Sequence, residues 1–202
     1  MQVELTIRAS IFHRKRQLIL DPEFIEFKDM DGTSHTNTRF EKEVIEGIRY
    51  GVRPINGYAF RIGRLYCIDI KNESGKLIKL RFGSLYGIYK KHLDNKYSKI
   101  VNTLFDYYYI QVFKNYIHLF HNKLEFNLLG IIFTPKGVLF KKTEPIIIWS
   151  DLGTKNYWSY FALFSKSNPN HYKAFQYLED WNTIILQSVS RQILKEMNYL
   201  DN

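Results

Sequence analysis

The chain has 202 residues and carries 29 Lys/Arg against 20 Asp/Glu, a net charge of +9. That length holds one large domain or two small ones, and a hydrophobic fraction of 45% with 24% charged residues is that of a folded, water-soluble protein. A single cysteine, Cys67, excludes an intrachain disulfide and a cysteine zinc cluster, and no apolar run approaches the roughly 20 residues of a membrane-spanning helix. The first ten residues lack the apolar centre of a signal peptide, so a cytoplasmic location is the default expectation.

In chain order, residues 3–12 alternate apolar and polar, the period of a strand. A basic turn follows at residues 13–16. Residues 17–29, QLILDPEFIEFKD, then read as a hairpin around Pro22. Residues 29–38 are polar, a loop. A strand is expected over residues 40–50, a turn through Pro54 over residues 51–57, and another hairpin over residues 58–82 with its turn at Asn72-Glu73-Ser74-Gly75. Ile78, Leu80 and Phe82 alternate with Lys79 and Arg81, so the basic pair faces outward. From Tyr97 the spacing changes to three and four (Ile100, Val101, Leu104, Tyr108), an amphipathic helix with Asp94 or Asn95 as its cap. Past Asp106 the helix is apolar nearly all round, which places it at the junction of two halves and ends it before His121.

The second half repeats the first. Residues 130–142, GIIFTPKGVLFKK, overlay residues 17–29: Pro135 falls on Pro22, Val138 on Ile25, Phe140 on Phe27 and Lys141 on Lys28. Around that hairpin we expect one strand over residues 124–133 and an apolar strand over residues 145–150 that partners residues 44–50. A hairpin follows over residues 157–177, then a last helix capped by Asp180 and ending near Met197. The division falls between residues 1–122 and 123–202. Each half runs antiparallel strands first and one helix last. The fold class is therefore mostly β: two small bent antiparallel sheets or partial barrels, each closed by a C-terminal helix.

The duplicated hairpin, the strand Ile146-Ile147-Ile148-Trp149-Ser150-Asp151 and the helix start Asp180-Trp181-Asn182 resemble small pleckstrin-homology-like (PH-like) domains of uncharacterised bacterial proteins, here in tandem. The resemblance implies a bent barrel closed by a helix. It implies no ligand, because Asp21-Pro22-Glu23 is acidic and Thr134-Pro135-Lys136-Gly137 has one lysine where phosphoinositide binders of that fold are basic.

Charge is concentrated: residues 51–100 hold 11 Lys/Arg and 3 Asp/Glu. Arg61, Arg64, Lys79, Arg81, Lys90 and Lys91, with Lys71, Lys76, Lys96 and Lys99, form the candidate anionic-ligand patch; the alternative is a solvated strand face that keeps edges from pairing. Tyr107-Tyr108-Tyr109 reads as core or as a stacking platform for bases. His118 and His121 share a helix end, either as two ligands lacking a third or as partners of terminal carbonyls. Asp29 and Asp31 open like a calcium loop without its later ligands, and Asp151 is explained by a turn as well as by catalysis. Cys67 reads as packing. No catalytic motif, metal site or cofactor loop is present in the pattern. The expectation is a non-enzymatic module binding a protein or peptide along a sheet edge or a groove. The second expectation is a peripheral binder of anionic membrane or nucleic acid through residues 61–99.

Overall fold

The computed structural model describes residues 1–8, 15–29 and 37–199. His13 and Arg14 of the basic turn, residues 9–12 and residues 30–36, with Asp31, lie outside them. Strands dominate, and the chain forms two compact units, Met1–Tyr109 and Ile110–Asn202. The sequence divides the chain after the central helix, at 122/123, whereas the units part within it.

In the first unit, β1 (Val3–Ile7), β2 (Arg16–Leu20), β3 (Phe24–Asp29) and β4 (Thr38–Glu41) form a four-stranded antiparallel meander. The chain then passes a 3-10 turn at Lys42–Val44 into β5 (Ile45–Asn56), β6 (Arg61–Asn72) and β7 (Leu77–Leu85), a three-stranded meander, and helix α1 (Lys90–Leu104). Alternation sets the core: Leu18, Leu20, Ile25 and Phe27 of the first hairpin are buried, as are Ile78, Leu80 and Phe82 of β7. Ile100 and Leu104 are the buried positions of α1 with Thr103. A π-helical turn, Phe105–Tyr109, follows; Tyr108 donates its hydroxyl to the carbonyls of Asp21 (2.6 Å) and Phe24 (2.8 Å), pinning the β2–β3 turn.

The second unit opens with α2 (Ile110–His121) and has the same order of strands. β8 (Phe126–Leu128), β9 (Ile131–Thr134), β10 (Gly137–Leu139) and β11 (Ile147–Ile148) form a four-stranded meander; β12 (Leu152–Asn156), β13 (Tyr160–Ser165) and β14 (Tyr172–Gln176) form a three-stranded one; α3 (Thr183–Glu196) closes the chain. Ile131, Phe133, Val138, Phe161, Leu163, Val189 and Ile193 are fully buried.

The repeat is structural. Leu20 pairs with Ile25 as Phe133 pairs with Val138, the register the sequence overlay requires. Each turn is a proline followed by one residue, and each is held by the side chain before the proline. Asp21 Oδ1 accepts from the Glu23 amide (3.1 Å), and Thr134 Oγ1 accepts from the Lys136 amide (3.2 Å). Beyond the hairpin, Lys42 N donates to Glu23 O as Trp149 N donates to Lys136 O, and Glu73 N donates to Val44 O as Lys166 N donates to Asp151 O.

Several expectations are corrected. Residues 124–133 are two strands: Leu129 and Gly130 make a two-residue turn with φ of 53° and 75°, the sense that suits hairpin twist. Pro54 lies inside β5 opposite Arg64; β5 is an edge strand, where a missing amide is harmless. The strand expected over residues 40–50 is broken by the 3-10 turn. The apolar run 145–150 yields only Ile147–Ile148, which pairs with β10 and matches Phe40 and Glu41 rather than residues 44–50. β12 was not expected. Helix α1 begins at Lys90, so Asp94 lies inside it, and α3 begins after Asn182, while Asp180 Oδ2 accepts from the Gln176 amide (2.6 Å) and closes a turn. Each unit has two small antiparallel sheets, one of four strands and one of three, and none closes into a barrel among the described residues.

Candidate functional site

The structure separates the six basic residues. Arg81 is committed to the fold: its guanidinium lies 2.5 Å from Asp69, a carboxylate only 5% exposed, and donates to the carbonyls of Leu80 (2.8 Å) and Ile68 (3.2 Å). Arg49 bonds the other oxygen of Asp69 at 3.1 Å. A buried carboxylate needs such pairing, because desolvation without it costs several kcal/mol. Lys79, beside it in register, is exposed. Arg64 lies 3.5 Å from Asp94, which also accepts the Tyr66 hydroxyl at 2.6 Å; burial first, then this bond, pushes the Tyr66 phenol up to about 12. Lys71 pairs with Glu46 at 3.0 Å, and Lys96 donates to Thr6 O at 3.0 Å. Arg61, Lys90 and Lys91 lie at the end of the sheet where β6 begins and α1 begins.

The other candidates resolve into structure. Tyr108 is buried and tied to backbone carbonyls and Tyr109 is buried, so these two of the tyrosine run are core, while Tyr107 is half-buried. Cys67 is buried, and burial pushes its thiol up, away from nucleophilic form. Asp151 staples the turn after β13: it accepts from Ser165 Oγ (2.6 Å) and from the amide (2.7 Å) and hydroxyl (3.1 Å) of Ser167. The Ser165 bond leads in holding its carboxyl below the ordinary aspartate value. His121 pairs with Glu196 at 2.8 Å rather than with a terminal carbonyl. Among the described residues no group of three His, Cys, Asp or Glu is placed to hold a metal, and no helix is long and apolar enough to cross a membrane.

What sequence reasoning passed over is the outer face of the second unit's three-stranded sheet. Along β13, Phe161, Leu163 and Ser165 point into the core, so Tyr160, Ala162 and Phe164 share the opposite face. Register sets Lys155, Ala162 and Ala174 in one row, and Gly153, Phe164 and Tyr172 in the next. Small residues in the middle row with aromatic rings on either side leave a groove of about 340 Å³. Ala162 is its floor. One wall is the Tyr157–Tyr160 stack, with centroids 4.4 Å apart. The other is Phe164 with Pro169 and Tyr172. Phe164 lies flat across Gly153, where an added Cβ would stand 2.5 Å from the ring; that glycine is what lets the wall fold down. Lys155, 5.1 Å above the Tyr157 ring, is the one charged residue of the lining, which has no carboxylate. Tyr, Ala and Phe at the outward positions of β13, where an exposed sheet face carries polar residues, were the available signal.

The groove offers apolar rings, tyrosine hydroxyls and one cation. No protein-family model matches the chain, and no curated protein matches it at a significant level.

Proposed function

We propose that the protein is a non-enzymatic binding module built from two PH-like units in tandem, and that the outer face of β12–β14 takes an extended peptide segment of a protein partner. The shared order of each unit, four strands, three strands and a helix, supports the PH-like reading. The observation that carries the function is the aromatic groove with its alanine floor. Its width suits a side chain or proline ring between two aromatic walls, and its tyrosine hydroxyls suit the unpaired carbonyls of an extended backbone. Lys155 selects a segment with an acidic residue beside the apolar one.

The test is capture of partners from the protein's own cells with the tagged full chain, at low and high salt and with nuclease. A discrete protein should survive both treatments and be lost from the double variant Lys155→Glu, Tyr172→Ala, whose altered side chains are exposed. Equal capture by the variant would remove the groove from the account.

A further inference from the structure

We propose that the far end of the first unit's three-stranded sheet docks the protein onto an anionic lipid bilayer, independently of the groove. The β5–β6 turn and the β7–α1 connection meet there. Gly57 N donates to Phe60 O at 2.8 Å, closing the turn, and Tyr86 N donates to Ile62 O at 2.7 Å, bringing the second segment against its base. Ser84 Oγ donates to Ile88 O at 2.7 Å and holds that segment in place. On these two fixed loops stand six large apolar side chains in water. Tyr58 is fully exposed, Tyr86 and Tyr89 are about three-quarters exposed, and Phe60, Leu85 and Ile88 about half or more.

Such a cluster on a small unit marks an interaction surface, since contiguous exposed apolar area is normally kept small. The backbone sets these rings on the tip: Tyr86 and Tyr89 sit at positive φ, 52° and 56°, with Gly87 between them at 77°, turning the chain tightly from β7 into α1 as Asn182 at 61° does before α3.

Charge identifies the occupant. Arg61 adjoins the first loop, and Lys90, Lys91 and His92 adjoin the second. Residues 56–68 and 74–93 contain no Asp or Glu, and Asp94, just inside α1, is engaged by the Tyr66 hydroxyl at 2.6 Å with Arg64 3.5 Å away. Tyrosines and aliphatic side chains on the tip, collared by cations in excess over the single carboxylate of Asp94, match the interface of an anionic membrane. Aromatic rings there sit at headgroup level, and lysines and arginines meet the phosphates. A nucleic acid would use the collar and the rings but gives Leu85 and Ile88 no apolar phase to enter.

Cosedimentation of the full chain with vesicles tests this, using phosphatidylcholine alone and phosphatidylcholine with about 30% phosphatidylserine. Binding is expected on the anionic vesicles and should weaken as salt rises. Lys90→Glu with Lys91→Glu should abolish it. Tyr58→Ser with Phe60→Ser and Ile88→Ser keeps every charge and alters exposed side chains; it should weaken binding roughly tenfold or more with an unchanged melting temperature. The proposal fails if the parent ignores anionic vesicles. It also fails if the triple serine variant binds them as the parent does, or if the parent prefers a single-stranded oligonucleotide and that binding survives the serine substitutions. Groove variants should bind vesicles normally, so this result and the peptide result stand or fall separately.

Discussion

The two three-stranded sheets are one design at two lengths. At the base, Glu73 N to Val44 O matches Lys166 N to Asp151 O; at the tip, Gly57 N to Phe60 O matches Tyr157 N to Tyr160 O. Between those matched ends β5 has 12 residues against 5 in β12, and β6 has 12 against 6 in β13. At about 3.3 Å per residue the first hairpin is longer by roughly 20 Å. Length carries the first unit's tip outward, and Tyr58 with it. The faces differ as well. Where the first sheet sets Arg49, Asp69 and Lys79 side by side, the second sets Lys155, Ala162 and Ala174. The first face is filled by an ion network, and the second, with methyl groups in place of charges, is left open as a groove. The two units share the hydrogen-bonding frame and differ in strand length and in one row of side chains.

The largest effect should come from emptying that row in the first unit. Asp69→Ala takes the shared carboxylate from two partly buried guanidiniums; with some relief from solvent and from the carbonyls that Arg81 still meets, the cost should be about 3 kcal/mol. Urea unfolding should show it as an earlier midpoint for the first unit, with the second unit's transition unmoved. Ala162→Asp is the reciprocal change and should destabilise the second unit, whose row has Lys155 but no arginine fork. If Asp69→Ala were neutral, the filled face would have to owe its closure to packing alone.

A smaller effect separates the two hairpins. Gly137 occupies the place of Phe24, and a Cβ there would stand 2.0 Å from Ile147 O. The first unit has room for a phenylalanine, over which Arg39 stacks at 3.6 Å. Gly137→Ala should therefore cost about 2 kcal/mol by forcing β11 away from β10, readable as a lowered urea midpoint, while Phe24→Ala should leave its own strand pairing intact.

These comparisons also show what the sequence could carry. The repeated hairpin was legible to its register, because Leu18 and Leu20 before the proline turn and Ile25 and Phe27 after it keep period two, and the turn recurs at Pro135. The turn at Leu129-Gly130 was not, since one glycine between apolar residues looks like the middle of a strand. Alternation told which way Arg81 points, yet not that Asp69 waits there, because a cross-strand partner depends on a register the sequence does not print. The same reasoning that finds cores hid both candidate sites. Tyr160, Ala162 and Phe164, like Tyr58 and Ile88, look like interior residues until the fold shows them outside.

The smallest effect concerns Asp151, whose counterpart in the first unit is Val44, a residue that cannot titrate. Bonds from Ser165 and Ser167 favour its charged form, so its folded pKa lies below the ordinary 3.8. A carboxyl depressed in the folded state contributes stability that is complete above the unfolded value and fades as pH falls through the folded one. The acid limb of the second unit should therefore steepen below pH 3.8, and Asp151→Asn should flatten it while lowering stability slightly at neutral pH. The side chain is largely solvated, so the change should be small and weaker in salt. The first unit's acid limb should not respond to the substitution, because Val44 closes the same corner there with a backbone carbonyl alone. A matching shift in both units would mean that they do not unfold as separate bodies, and then the length and face differences could not act independently either.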